Sequence, residues 1–385
     1  MVQARSMCLA GVLALALGAA ACSSSTSSGT GGATSSSTGS ASAAAASSEC
    51  VTKATTAANA ARAVPPLVMP TGTFDMKSNA GKSVWLIDEL PIPELVDIAN
   101  GWAAAAKAAG LQAHIDNTTG TVSSWSAGVS QAISAGAAGI VLLGVPWQVV
   151  TGPLATAAAK KIPVVQFSDG DQNDATPSTI YSHITSDFNL GGEYMADWVL
   201  ANSNCQAHVA YLSAGTGAGS SGLEVDSGFA NQLHALCTSC TLAKSDVDIA
   251  SLATQLPGAT QSLLRRYPNT NYVVSTFDSL VTFIQPSVAQ AGSSAKIVAH
   301  DGAAANLQTI SQGGAQAADV ALPPPGYQGW LLMDSLGRGM LGLPATNEVI
   351  VQRLIDKTNV STSINALFPD YANYQQDFEK LWGLS

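Results

Sequence analysis

What most constrains this chain is a rhythm that runs along it twice: a short apolar run, an amphipathic stretch, then another apolar run. In the first pass Val84 to Ile87 reads as a strand and Glu94 to Ala109 as a helix, with Leu95, Ile98, Trp102 and Ala106 on one face and Gly110 as its stop. Gln112 to Ile115, Gly139 to Leu143 and Pro163 to Phe167 follow as strands, separated by helices at Ser126 to Ser134 and Leu154 to Lys161. The rhythm then restarts. Helices at Gly192 to Ala201, Leu223 to Leu236, Leu252 to Arg266 and Val281 to Ala291 alternate with strands at His208 to Leu212, Leu242 to Val247, Tyr272 to Ser275 and Ile297 to His300. Strands alternating with helices at this spacing imply parallel sheets covered on both faces. The fold class is therefore α/β, with two Rossmann-like lobes. Ligands of open parallel sheets bind outside the carboxyl ends of the strands, so two facing lobes put the site in the cleft between them.

The alternation begins only after residue 81, and what precedes it is of another kind. Arg5 supplies a positive charge, Leu9 to Ala21 is apolar, and the small residues Ala19, Ala20 and Ala21 lead into Cys22. That order reads as a secretory signal at 1–21, cleaved to leave Cys22 first. The run is too short to cross a bilayer core of roughly 30 Å as a helix. Residues 22–48 are Ser, Thr, Gly and Ala with little to bury, the composition of a flexible tether. This arrangement resembles a bacterial lipoprotein, which implies a lipid on Cys22 and a folded body at the outer face of the cell membrane. A plainly secreted, soluble form is the alternative.

Composition narrows the classes further. Apolar residues make up 46% of the chain and charged residues 11%, so a large core is available. A formal charge of −10 with no basic cluster excludes a nucleic-acid-binding face. Of six cysteines, Cys8 belongs to the leader and Cys22 to the anchor. Cys50, Cys205, Cys237 and Cys240 then sit where disulfides persist, and three pairings are open to them. Cys237–Cys240 is the local pair to expect, leaving Cys50 and Cys205 to each other or free. The single C-T-S-C has no second pair and no nearby histidines, so no metal site is expected.

From Lys82 to Lys357 the chain resembles the periplasmic sugar-binding proteins of ABC importers, of the ribose-binding type. The residues that carry this are the strand–loop–helix Val84 to Gly101, the I-P-V at Ile162, the S-D-x-x-x-G of Ser186 to Gly191, Gly228–Phe229 and the H-D-G of His300 to Gly302. The tail D-F-E-K-L-W-G of Asp377 to Gly383 is like those of actinobacterial members. The resemblance implies a type I periplasmic-binding fold, with lobes joined by a three-segment hinge near Thr185–Asp187, Leu322–Pro324 and Leu343–Thr346. Lobe 1 would comprise 82–185 with 324–345, and lobe 2 would comprise 186–323 with 346–358. Residues 49–81 would be an extension and 359–385 a helical tail. The family implies no enzyme activity and no cofactor. Its partners are a small ligand and ABC permease subunits, and it acts as a monomer.

The same resemblance places the site. Asp301 matches the family outright. Glu94 and Leu95 stand where two stacking aromatics would be, Ser168 and Asp169 replace an Asp-Arg pair, and Leu223, Phe277 and Pro323 fall where an arginine, an asparagine and a glutamine are usual. Both sugar-clamping arginines are thus missing, which argues against ribose. Asp88, Glu94, Asp169 and Asp301 would accept hydrogen bonds from hydroxyls, and Trp147, Phe277 and Trp330 would offer an apolar face. That set suits a sugar or polyol, and equally a small organic cation or an aromatic compound. Asp88 and Asp169 could instead cap the following helices, and Phe277 and Trp330 could be core.

Three rival readings remain. Feeding a signalling partner instead of a permease would use the same shell. Gly217, Gly219 and Gly222 spell G-x-G-x-x-G, with Asp246 and Asp248 at a distance suited to a ribose hydroxyl, the pattern of an NAD-dependent dehydrogenase. A hydrolase is disfavoured: neither Ser220 nor Ser221 has the G-x-S-x-G flanks, and His300 and Asp301, as consecutive strand residues, should point to opposite faces.

Overall fold

The first described element starts earlier than the sequence suggests. The computed structural model describes residues 38–170, 172, 175–215 and 219–385, with side chains from residue 47 onward. Helix α1 (Thr38–Ala61) begins inside the stretch read as tether, because Ala41 and Ala43 to Ala46 are the strongest helix formers. Its later turns place Cys50, Ala54, Ala58 and Ala61 on one buried face, packed against lobe 2. The leader, Cys22 with the first part of the tether, and Gly217 lie outside the described residues.

Lobe 1 follows the anticipated rhythm: β1 (Ser83–Asp88), α2 (Pro93–Ala108), β2 (Gln112–Asn117), α3 (Val122–Ser134), β3 (Gly139–Leu143), α4 (Thr151–Ala159), β4 (Val164–Phe167) and β5 (Ser182–Ser186). The chain then enters lobe 2 with α5 (Phe188–Asn202), β6 (His208–Ser213), α6 (Gly219–Leu236), β7 (Thr241–Asp246), α7 (Leu252–Arg266), β8 (Tyr272–Ser275), α8 (Asp278–Gln290), β9 (Lys296–Asp301), α9 (Ala304–Gln312) and β10 (Gln316–Ala321). Helix α10 (Pro325–Met340) returns to lobe 1, and β11 (Val349–Ile350) and β12 (Arg353–Asp356) end the two sheets. Helices α11 (Ile364–Leu367) and α12 (Tyr374–Leu381) form the tail. The first sheet runs β11-β5-β4-β3-β1-β2 and is parallel throughout; the second runs β12-β10-β9-β8-β6-β7, with only β12 antiparallel.

One hinge expectation is corrected by these pairings. Val349 and Ile350 pair with Thr185 and Ser186 in the first sheet, while Arg353 to Asp356 pair with β10 in the second. The third crossing is therefore at Val351–Gln352, not at Leu343–Thr346, and the run from Glu348 to Leu354 is shared between lobes. The other two passages fall at Asp187 and between Ala321 and Pro325.

Within each lobe the two helices nearest the hinge touch backbone to backbone. A Cβ on Gly329 would stand 2.3 Å from the Trp102 nitrogen, and one on Gly228 would stand 2.0 Å from the Asn189 oxygen. Only glycine permits α2 against α10, and α5 against α6, at that separation. The G-F of Gly228–Phe229 is thus a packing motif.

Both ends of the described chain are bound into the body. Cys50 is joined to Cys205 and Cys237 to Cys240, so α1 is stapled to the loop after α5. Arg62 adds an ion pair with Asp356 at 2.5 Å. The chain then crosses to lobe 1, where Phe74 and Met76 donate backbone hydrogen bonds to Leu381 and Trp382 of the tail. Trp382 stacks on Trp330 with ring centroids 5.1 Å apart and donates to Asp334. Trp330 is therefore part of the lobe 1 core. Among the described residues no helix is long and apolar enough to cross a membrane.

Because Cys50–Cys205 closes a loop of 155 residues, a Cys50→Ser/Cys205→Ser double variant should lose about 2–4 kcal/mol in urea unfolding. Limited proteolysis should then cut within α1 first; equal stability of both forms would show the staple to be dispensable.

Candidate functional site

The strand order reverses beside β1 in lobe 1 and beside β6 in lobe 2, so the carboxyl ends of β1, β4, β8 and β9 open into the crevice where such folds bind ligands. What stands there is predominantly acid. Asp88, the last residue of β1, is fully buried, and neither of its oxygens has a partner in hydrogen-bond geometry. Burial pushes its carboxyl up to about 6, opposed weakly by the nearby Leu90 backbone N–H. Glu89 is also buried, with Oε1 unpartnered, and burial together with Asp169 and Asp88 holds it well above the usual range.

Proline at the first position of α2 sets its start, and this puts Glu94 in the first turn. Its Oε2 is buried without a partner, and burial, with Asp301 of the other lobe next, raises it to about 7. Two carboxyl groups on opposite lobes thus feel each other's charge. Leu95 packs into the lobe 1 core beside them, half-buried.

A second meeting of the lobes occurs at Asp169. Ser168 takes a left-handed backbone (φ 58°) that turns the chain after β4, and Asp169 is buried behind it. Asp169 Oδ1 accepts from both the backbone N–H and the hydroxyl of Ser220, each at 3.0 Å, while Oδ2 has no partner. Ser220 lies in the first turn of α6, whose positive end favours an anion. The glycine-rich segment therefore serves a carboxylate of the chain itself. Gly219 (φ 65°) makes room for it, since a Cβ there would lie 2.5 Å from Asp169 Oδ1. Asp246 is paired with Lys244, and Asp248 caps a short turn through Ala250, so the dinucleotide reading loses its ribose partners. Neither Asp88 nor Asp169 caps the helix that follows it.

Asp301 ends β9 with φ 127°, a conformation that breaks the strand's alternation. The expectation that His300 and Asp301 point apart is accordingly wrong: His300 Nδ1 lies 3.0 Å from Asp301 Oδ1. His300 Nε2 donates to Gln352 Oε1 at 2.7 Å, the Gln352 amide being fixed by its own bond to the Asp187 carbonyl. With an acceptor at each nitrogen, the ring's proton affinity is raised although burial opposes it. Beneath Asp301, Gln316 donates to both Asp278 and Asp319, and Gly302 N–H donates to Asp319. Burial holds Asp278 well above the usual range, and burial raises Asp319 to about 7.

The remaining candidates sit differently. Phe277 is half-buried between the two lobe 2 clusters, with its ring 6.3 Å from that of His300. Trp147 is half-buried against the outer cluster of lobe 1. Leu223 is 50% exposed on α6, and nothing in its surroundings joins it to the carboxylates. Pro323 is buried in the hinge, where its carbonyl accepts from Gln328. Glu89 after β1, and Asp278 and Asp319 beneath Asp301, are buried acids that the sequence pattern did not single out. The available signal was an acid inside an otherwise apolar strand, as in Q-A-A-D-V-A of β10. Among the described residues, no group of three or more histidine, cysteine, aspartate or glutamate side chains is placed to hold a metal ion.

Two parallel α/β lobes, hinged along one side and lined with acceptors between them, define a small-molecule binding protein. A family profile of periplasmic binding protein domains matches residues 93–340, and the chain belongs to that family of extracytoplasmic binding proteins, which are not enzymes. Among solved structures it is similar to an ABC transporter solute-binding protein from Mycobacterium smegmatis with bound glycerol (20% identity, 74% of this chain and 98% of that one, TM-score 0.66). One from Agrobacterium vitis bound with α-D-tagatopyranose is alike at 20% identity, 73% and 96% coverage and a TM-score of 0.65. Another from the same organism, with bound allitol, matches at 18% identity, 75% and 98% coverage and a TM-score of 0.65. No curated protein matches the chain by sequence.

The raised carboxyls fix the direction of a pH effect. Asp88 and Glu94 keep their protons in the folded protein to a pH where the unfolded chain has lost them. The native state then binds more protons between about pH 4 and pH 7, and stability falls as pH rises through that window. His300 acts in the same sense, its contribution being lost as pH rises through its raised value. The ligand-free protein should therefore melt at a lower temperature at pH 8 than at pH 5, and an Asp88→Asn/Glu94→Gln variant should flatten the difference. A pH-independent melting temperature would mean that these carboxyls are solvated.

Proposed function

We propose that this chain is the solute receptor of an ABC importer, capturing a small polyhydroxylated molecule, a sugar or polyol, between its lobes. The observation that carries the reading is the set of buried, unpartnered carboxyl oxygens on Asp88, Glu89 and Asp169 at the strand ends and on Glu94 in the first turn of α2. Each accepts hydrogen bonds and none donates while ionised, so the complement is a molecule rich in hydroxyl donors. Charge-assisted bonds to such hydroxyls strengthen as the cleft excludes water. The bound ligands of the similar solute-binding proteins, glycerol, tagatopyranose and allitol, are of that class. Asp301 faces Glu94 from the opposite lobe and acts as the lobe 2 clamp.

Thermal unfolding of the purified protein against a panel of sugars and polyols tests this. A true ligand at a hundredfold excess over its dissociation constant stabilises by about 2.7 kcal/mol. Asp301→Asn should abolish the shift while leaving the unliganded melting temperature within a few degrees. If the variant keeps full affinity, Asp301 serves only to hold His300.

The receptor is anchored through a lipid on Cys22, with the leader removed and the protein facing outward as a monomer beside its permease. The leader's charge, the short apolar run and the small residues before Cys22 support this. A Cys22→Ala form should leave the membrane pellet for the soluble fraction and lose labelling by a fatty-acid precursor. Retention in the pellet would reject the anchor.

A further inference from the structure

The cleft gathers more carboxyl groups than hydroxyls alone can answer. Asp88 and Glu89 are nine-tenths or more buried, and three of their four carboxyl oxygens have no partner. Asp169 adds a fourth buried, unpartnered oxygen, and its remaining one is satisfied by Ser220 from the opposite lobe. Glu94 feels the charge of Asp301 from the other lobe, and of Asp319 and Asp97, while Asp278 feels Asp319 and Asp301. His300 is engaged by Asp301 and Gln352, and His183 by the backbone carbonyl of Asp169. Lys244, on the outer strand β7, is held by Asp226 and Asp246. Among the described residues no lysine or arginine stands among the groups that shift Asp88, Glu89, Glu94 or Asp301.

A compact metal ion does not resolve this imbalance, because no described cluster brings three ligands together. The carboxylates are spread over β1, the following loop, α2 and the turn after β4. A positive charge carried on a larger, hydroxylated frame matches that spread. An ammonium group offers three donors and no acceptor, which is what a lining of acceptors lacks. In a cleft of low dielectric its attraction to each carboxylate exceeds that of a neutral hydroxyl.

We propose that the ligand is an aminated polyol or amino sugar, with its cationic nitrogen seated among Asp88, Glu89 and Glu94 and its hydroxyls reaching Asp169 and Asp301. This rests on the reading of the cleft as a sugar or polyol site and narrows it to the basic members of that class. A cation would also stabilise the ionised form of Glu94, whose proton affinity is raised by burial and by Asp301 of the other lobe.

Titration calorimetry at pH 7.5 with matched pairs tests it: D-glucosamine against D-glucose and N-acetyl-D-glucosamine, and 1-amino-1-deoxy-D-glucitol against D-glucitol. The amine of at least one pair should bind tenfold or more tighter than its neutral partners. Its binding should release protons to the buffer and weaken at pH 5, where the carboxyls are protonated. Glu94→Gln and Asp88→Asn should each reduce amine affinity at least tenfold while narrowing the preference over the neutral partner. If neutral members bind as well or better, or if both variants keep the amine affinity, the cationic ligand is overturned and the polyol reading stands. If no member of either set binds, both readings fall.

Discussion

A carboxyl group removed from water has three ways to persist: it keeps its proton, it finds donors in the protein, or it finds them in a ligand. Much of this molecule can be read as the distribution of those three solutions. Asp334 takes the second, held between Arg338 and Trp382 in the lobe 1 core. Asp356 takes it too, with Arg62, Trp198 and Thr358 around it, and its proton affinity is lowered accordingly. Asp278 and Asp319 combine the first and second, sharing Gln316 while keeping proton affinity high. At the mouths of the strands Asp88 and Glu89 have few donors from the protein; burial raises their proton affinity, and the third solution is open to them as well.

The placement of that exception follows from topology. Parallel strands end together at one edge of a sheet, and the reversal of strand order beside β1 and β6 leaves a gap no helix covers. Side chains that would be intolerable within the sheet can therefore sit at its end, provided something else meets them. The second lobe meets one of them directly: the start of α6 reaches across to Asp169, with Gly219 giving the clearance.

The alternation of apolar and amphipathic segments made nearly every central strand legible, because Val84 to Ile87 or Gly139 to Leu143 are apolar throughout, as strands covered on both faces must be. Strand β5 was not legible. Its sequence S-H-I-T-S is mostly polar, yet it is buried, since Ser182, His183 and Ser186 find partners at Thr346, Asp169 and Ile350. Those partners are remote in sequence, and local pattern carries no trace of them. The same holds for the third hinge crossing, which depends on the two-residue strand β11. Of the site, the acids that end or follow strands were visible as Asp88, Asp169 and Asp301. The His300–Asp301 pair was not, because it depends on a backbone angle that sequence alternation cannot express.

The two ends of the chain give the hinge an unusual construction. Helix α1 is fastened to lobe 2 by Cys50–Cys205, while Phe74 and Met76, a few residues on, are bonded to the tail on lobe 1. The tail itself starts from β12 in lobe 2. Among the described residues five chain passages, not three, thus span the boundary between the lobes. A pair of plates joined by one ribbon can twist, tilt or slide, but plates laced at several points along one margin retain a single easy movement, rotation about that margin. The ends of this chain therefore act as added stitches in a book's spine: they leave the covers free to open and shut, and keep the facing pages in register each time they do.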